Sequence, residues 1–377
     1  MAMKKMMTAI GLMSGTSMDG VDAALIETDG EGLVRMGPTA ALAYGEQERV
    51  VLRQALVDAM AMTQRGERPG SLEAAERLIT RRHAELLASF LAEQRLSLEN
   101  IDVIGFHGQT VLHRPLQRLT VQIGDGQGLA DAIGIPVVFD MRAADVAEGG
   151  QGAPLVPVYH QALAQAAGLD GPVAVLNLGG VGNITYLEAG RDPIAFDTGP
   201  GNALIDDLML ERSGTAMDED GRHALAGQVD QAILAQLMAH EFFKAPPPKS
   251  LDRNAFSRVA VSCLPTDDAA ATLSAFTASS AAASRRWLPQ APKQWVVCGG
   301  GARNPAILEF LRRQTGAKVS TADELGWSAA MMEAQAFAYL AVRSLKGLPL
   351  TYPSTTGVPR SLTGGILAAP RQNRLSA

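Results

Sequence analysis

Val175-Leu176-Asn177-Leu178-Gly179-Gly180-Val181-Gly182-Asn183-Ile184-Thr185 reads as a short apolar strand, a glycine turn and a second strand. The same grammar stands near the start of the chain. There Ile10-Gly11-Leu12 leads through Ser14-Gly15-Thr16-Ser17-Met18-Asp19-Gly20 into Val21-Asp22-Ala23. The two hairpins lie about 165 residues apart, too long a period for a solenoid repeat. Each gives way to further strands and helices, which argues for two related α/β halves with a cleft between them as the place for a ligand. The turn-rich Gly168-Leu169-Asp170-Gly171-Pro172 marks the boundary. The expected domains are therefore 1–168 and 169–377, with the C-terminal segment a candidate to return to the first half.

Outward from the hairpins, short and continuously apolar runs at 7–12, 21–26, 103–106, 137–139, 173–178, 184–187, 194–196 and 295–298 read as strands buried on both faces. Leu72, Ala75, Ile79, Leu86 and Phe90 trace one face of a helix. Further helical patterns cover 155–167, 203–212, 230–243, 269–288, 305–313 and 329–344. Of the 377 residues, 47% are hydrophobic and 19% charged, which excludes disorder as the main state. A net charge of −6 without any Lys/Arg run argues against a nucleic-acid partner. Cys263 and Cys298 form neither a disulfide framework nor a zinc pattern. No apolar run reaches the length of about 18 residues that a transmembrane helix needs. The opening Met1–Met13 reads as a first strand rather than a signal peptide, so the expected location is cytoplasmic, with no membrane partner.

Gly15-Thr16-Ser17-Met18-Asp19-Gly20 offers hydroxyl donors and close backbone approach, as phosphate oxygens require, and Asp19 suits a hydrated Mg²⁺. Asp-Gly is also an ordinary hairpin turn. Gly179, Gly180 and Asn183 stand at the equivalent place in the second half, and the pairing strengthens the phosphate reading. Cys298-Gly299-Gly300-Gly301-Ala302-Arg303-Asn304 joins a strand to a helix and reads either as a nucleotide contact or as a plain turn. Asn304 occupies the third glycine position of a dinucleotide fingerprint, which weighs against that motif, and no P-loop occurs. Asp197, in Phe196-Asp197-Thr198-Gly199-Pro200-Gly201-Asn202, places a carboxylate at the end of an apolar strand as a candidate general base, or as a turn-capping Asp. His107, Gln109, Asp140 and Arg142 follow other strand ends, and Gly152 lies in a glycine loop before a helix. Their side chains are the hydrogen-bonding types that a sugar or carboxylate ligand needs. The remaining histidines read as structural or surface residues.

Gly11–Asp22 resembles the opening signature of the anhydro-N-acetylmuramic acid kinase family. The likeness continues through His107-Gly108-Gln109-Thr110, Val121-Gln122-Ile123-Gly124, Gly149–Pro157, Asp197–Asn202, Pro248-Lys249-Ser250, Ala271-Thr272-Leu273, Cys298–Gly301 with Arg303-Asn304, and Met332-Glu333. The resemblance implies a two-domain actin-like ATPase of the hexokinase–Hsp70–actin type, an α/β fold of two ribonuclease H-like halves with ATP and Mg²⁺ in the interdomain cleft. It implies an amino-sugar substrate, 1,6-anhydro-N-acetylmuramic acid, the product N-acetylmuramic acid 6-phosphate, a place in peptidoglycan recycling, and a homodimer. By the same likeness Gly20, Val21 and Asp22 join the ATP-binding set, Asp19 the metal, and Glu333 the sugar-orienting set with Arg142, His107 and Gln109. Two stations depart from the family pattern. Asp140-Met141-Arg142 is followed by Ala143-Ala144 where the family carries arginines, and Lys249-Ser250-Leu251-Asp252-Arg253 replaces Lys-Ser-Thr-Gly-Arg.

A 1,6-anhydro sugar has no free 6-hydroxyl, so the expected mechanism begins with water. Asp197 takes a proton as water attacks C1, and the freed O6 then attacks the γ-phosphate of ATP. The rivals are an actin-fold kinase of a free-hydroxyl sugar, a nucleotide-binding module without sugar turnover, and a Rossmann oxidoreductase built on Gly299–Gly301.

Overall fold

The computed structural model describes residues 5–15, 17–169 and 171–371. Asp170, within the expected boundary turn, lies outside them. The chain divides into two compact units, Met1–Ala166 with Met331–Ala377, and Ala167–Ala330.

The first unit holds β1 (Met7–Met13), β2 (Gly20–Thr28), β3 (Val34–Ala43), β4 (Val103–Phe106), β5 (Gln109–Arg114), β6 (Leu119–Ile123), β7 (Val137–Phe139) and, near the C-terminus, β13 (Ile366–Ala368). Six of them form one sheet in the order β13-β7-β4-β1-β2-β3, while β5 and β6 pair as a separate ribbon. β1, β2 and β3 run as an antiparallel meander, and β4 joins β1 in parallel. The pleat sorts the side chains. Ile10, Leu12, Ile104 and Phe106 enter a core with Leu86, Leu87 and Phe90 of the helix Leu72–Glu93. Gly11 and Gly105, at intervening positions, face the helix Met332–Leu345. A Cβ on Gly11 would stand 1.8 Å from the Ala334 carbonyl oxygen, and one on Gly105 2.0 Å from that of Phe337. Only glycine at these two strand positions lets that helix lie on the sheet, and this contact draws residues after 331 into the first unit.

The second unit repeats the plan. β8 (Val173–Leu178), β9 (Val181–Leu187) and β10 (Ile194–Pro200) form the meander, with β11 (Gln294–Cys298) and β12 (Lys318–Thr321) parallel beyond β8. The sheet order is β10-β9-β8-β11-β12, matching β3-β2-β1-β4-β7 of the first unit. The repeated order is that of a ribonuclease H-like half, so the chain is an α/β protein of two actin-like halves. Leu176, Ile184, Phe196, Trp295 and Val297 share their core with Phe276 of the helix Thr266–Ala283 and Ile307 of the helix Pro305–Thr315.

Two helical expectations change. The pattern at 230–243 is a helix only over Gln231–Met238, followed by a 3₁₀ turn, Glu241–Lys244, at which the His240 ring accepts from the Phe242 N–H. The pattern at 269–288 starts earlier and becomes 3₁₀ at Ser284–Trp287.

Candidate active site

In the first unit the β1–β2 turn carries Gly15, Ser17 and Asp19, the last two exposed; Thr16, expected here as a phosphate contact, lies outside the described residues. The turn is tied down from below. Ser14 Oγ donates to Gln109 Oε1 at 2.6 Å, Gln109 Nε2 donates to the Gly15 carbonyl at 3.2 Å, and the Tyr44 N–H donates to the Asp19 carbonyl at 3.0 Å. Gln109 is 1% exposed with both ends of its amide engaged, so it holds the turn rather than a ligand. Two members of the expected ATP set have packing reasons instead. Val21 points into the core, because strand alternation sends it opposite to Asp22. Gly20 is glycine because a Cβ would lie 2.5 Å from the Leu42 carbonyl oxygen.

Asp22 comes near Asp19 and Glu333. Burial first, then the charges of Glu333 and Asp19, raise its carboxyl above the usual range. Glu333 opens the helix Met332–Leu345, and its carboxyl is raised by burial and lowered by Arg142. Arg142 is itself deeply placed. Nη1 donates to the Gly152 carbonyl at 2.9 Å, Nη2 lies 3.3 Å from His107 Nε2, and Nε is buried with no hydrogen-bond partner. Gly152 sits in the left-handed region at φ 69°, with its N–H donating to Asp145 at 2.6 Å. Burial, then the Arg142 charge, push the His107 imidazole down to about 3, so it is neutral. The fold thus brings His107, Arg142, Gly152, Asp22 and Glu333 together. Asp140 is turned elsewhere. It takes a left-handed backbone at φ 56°, and Oδ1 accepts from Arg65 Nη2 at 2.5 Å.

In the second unit Asp197 lies within β10 rather than at its end, because a bulge between Asp197 and Gly199 lets the strand continue to Pro200. Such a bulge re-aims side chains. Asp197 pairs in register with Asn183 of β9, and Asn183 with Asn177 of β8, a polar row on one face across three strands. Oδ2 of Asp197 accepts from the Leu251 N–H at 2.7 Å, and the Asp197 N–H donates to the Lys249 carbonyl at 3.1 Å. Burial pushes the Asp197 carboxyl up to about 6, against the pull of the Leu251 N–H and the Lys249 ammonium. The ammonium donates to the Phe242 carbonyl at 3.0 Å and stands 4.3 Å over that ring; burial brings it down to about 8. The segment 249–251 entered the sequence reading only through the family likeness, since nothing in its composition marks it as a neighbour of Asp197.

Gly179 and Gly180 form the β8–β9 turn, and their carbonyls accept from the N–H groups of Asn202 and Gly201. The three glycines of 299–301 divide their work. A Cβ on Gly299 would meet Asn177 Oδ1 at 2.5 Å, and one on Gly301 would meet Leu178 Cβ at 2.5 Å. Gly300 lines a cavity of about 130 Å³ with Asn202, Ile205, Asp206, Met217 and Asn304. Asn304 also caps the helix Pro305–Thr315 through its side-chain oxygen. Nothing in the sequence reading marks Asp206, and Asn202 stands there only as the last residue of the motif Phe196–Asn202; their helical spacing of four is the signal that could have placed them on a shared face.

The family profile for anhydro-N-acetylmuramic acid kinase matches residues 7–369. Over 366 residues the chain is 57% identical to the anhydro-N-acetylmuramic acid kinase of Nitrobacter winogradskyi, covering 97% of this chain and 100% of that protein. It is 58% identical over 365 residues to the protein of the same name from Rhodopseudomonas palustris strain BisB18, at 97% and 100% coverage. The namesake from Methylobacterium nodulans is 55% identical over 374 residues, again at 97% and 100%.

Proposed function

The chain belongs to the anhydro-N-acetylmuramic acid kinase family, and on that premise we propose how its residues use ATP to open 1,6-anhydro-N-acetylmuramic acid and phosphorylate O6. Asp197 is the general base. The observation that carries this role is a buried carboxylate with one oxygen fixed by the Leu251 N–H and an affinity for protons raised to about 6. A base in that range is ionised at neutral pH and still accepts a proton from water.

Water attacks C1 as Asp197 removes its proton. The C1–O6 bond breaks with its electron pair going to O6, and O6 forms a bond to the γ-phosphorus as ADP leaves. The products are N-acetylmuramic acid 6-phosphate, ADP and one proton. Arg142 and Glu333 orient the sugar: the unpartnered Arg142 Nε–H is a donor awaiting an oxygen, and Glu333 is an acceptor for a hydroxyl. His107 and Gly152 hold the guanidinium in place. The turns at Gly15–Asp19 and Gly179–Gly180 are assigned to the phosphates, and the cavity at Gly300 and Asn304 to the nucleoside.

Asp19 and its neighbour Asp22 supply hard carboxylate oxygens that suit Mg²⁺. Among the described residues no three acidic, His or Cys side chains form a ready ligand set. Asp19, with Asp22 beside it, would be the residue to hold such an ion, which when bound would neutralise phosphate charge. On the family likeness we also propose a cytoplasmic homodimer; among the described residues no helix is long and apolar enough to cross a membrane.

The test is ADP release from ATP and Mg²⁺ with the anhydro sugar in ¹⁸O-water, with free N-acetylmuramic acid, and without sugar. Turnover confined to the first, with label at C1, is expected. Turnover with the free sugar alone would make the enzyme a conventional hydroxyl kinase.

A further inference from the structure

A triphosphate needs cations around it, yet neither glycine turn assigned to the phosphates contains Lys or Arg: 14–20 and 179–183 are free of both. In the second unit a guanidinium stands beside the turn. A Cβ built on Gly180 would lie 3.8 Å from Arg253 Cδ and 4.0 Å from Arg253 Nε. The side chain is aimed by its ion pair with Asp207, Nη2 to Oδ1 at 3.1 Å. Asp207 lies on the helix Ala203–Ser213, whose first residue, Ala203, also approaches Gly180, at 3.7 Å. That ion pair engages one of the five guanidinium N–H groups, and the side chain is 58% exposed, so the others are open to a ligand. Arg253 also belongs to the short segment 249–253 that sends the Leu251 N–H to Asp197.

We propose that Arg253 is the phosphate-binding cation of the second unit, donating hydrogen bonds to the polyphosphate chain of ATP at the Gly179–Gly180 turn. A lone surface ion pair contributes little to stability, and it would leave unexplained why the side chain is laid along Gly180. Laid there and held by a single carboxylate oxygen, the guanidinium is pre-aimed at whatever the turn binds. One loop thereby sets both the base and a phosphate contact, so the two reacting ends of the transfer are placed by the same five residues. This inference rests on the reading of that turn as a phosphate site.

The test compares Arg253→Gln and Arg253→Lys with the unaltered protein. ATP and AMP binding are measured by calorimetry with Mg²⁺, and KM for ATP and for the sugar by steady-state kinetics. The loss of a charged hydrogen bond lowers affinity roughly 10- to 100-fold. That fall is expected for ATP in Arg253→Gln, with a smaller fall for AMP, sugar KM within about twofold, an unchanged melting temperature, and partial recovery in Arg253→Lys. ATP affinity within twofold of the unaltered protein would overturn the proposal. So would equal losses for ATP, AMP and sugar accompanied by a lower melting temperature. Arg253-dependent ATP binding without sugar turnover would defeat the kinase mechanism and leave this contact standing.

Discussion

His107 Nε2 and Arg142 Nη2 lie 3.3 Å apart, and since a guanidinium only donates, the imidazole nitrogen is the acceptor. The tautomer follows: the proton sits on Nδ1, which donates to the Gly108 carbonyl at 2.8 Å. Protonating Nε2 would set two buried cations against each other. The neutral ring is thus a fixed support for a cation rather than a participant in proton transfer.

Replacing His107 by Ala leaves a buried guanidinium N–H without its acceptor, a cost of about 1–3 kcal/mol. The expected outcome is a stability loss of that order together with a rise of roughly tenfold or more in sugar KM, since the guanidinium proposed to orient the sugar loses a support, with ATP KM little changed. His107→Gln restores an acceptor and should recover part of the loss. Steady-state kinetics with both substrates checks it. A drop in ATP affinity alone would contradict the role.

With Asp197 as the proposed base, its ionisation should set the pH dependence. Its carboxyl is raised to about 6 in the free protein, and the base acts when ionised, so kcat/KM for the sugar should fall as pH drops through about 6, with a slope of one on logarithmic axes. Asp197→Asn should lower kcat by roughly 10²–10⁴-fold and abolish that limb, with ATP binding preserved. Because His107 is neutral down to about 3, His107→Gln should leave the limb where it is.

The same carboxylate weakens the fold. Its folded-state affinity for protons exceeds that of an unfolded Asp, so the folded chain binds more protons between about 4 and 6 and loses stability as pH rises across that window. At neutral pH the penalty is at most roughly 3 kcal/mol, reduced by its contact with solvent. Asp197→Asn should therefore raise the melting temperature at pH 7 by about 2–5 °C, with the gain vanishing near pH 4. Calorimetry at the two pH values checks the sign.

Gly105→Ala should be destabilising by about 1–3 kcal/mol or more, because the new methyl would lie 2.0 Å from the Phe337 carbonyl oxygen. The displaced helix carries Glu333, so sugar KM should rise as well. Gly66→Ala, with nothing within 4 Å, is the control and should stay within about 0.5 kcal/mol. Denaturant melts of both variants decide between backbone crowding and a general intolerance of the substitution.

The duplicated hairpins were legible because a glycine turn between apolar runs is a local signal, and the candidate base was legible because a lone carboxylate interrupts such a run at Phe196-Asp197. What escaped reading is what depends on distant partners. β3 is half-exposed and contains Gly37 and Pro38, so its strand character comes from pairing with β2. Gln109 looked like a ligand residue because its side chain is polar at a strand end, and only Ser14 and Gly15 show where the amide is spent. Gly11 and Gly105 are unremarkable within their strands until a helix more than 200 residues downstream arrives. Arg253 is one basic residue among 33, and nothing local to it reveals the turn it accompanies.

The helix Met332–Leu345 also sets a timetable for synthesis. The strands β1 and β4 that present Gly11 and Gly105, with all their neighbours in the sheet except β13, have been made once β7 has emerged, yet the covering helix is still nearly two hundred residues away. At about 5–20 residues per second that is a wait of roughly 10–40 s, during which the second unit, contiguous from Ala167 to Ala330, has all its own sequence and can finish folding first. The part of the enzyme made earliest is then the part that matures last, and a nascent chain stalled before residue 332 would present an open sheet face to chaperones rather than a half-built kinase.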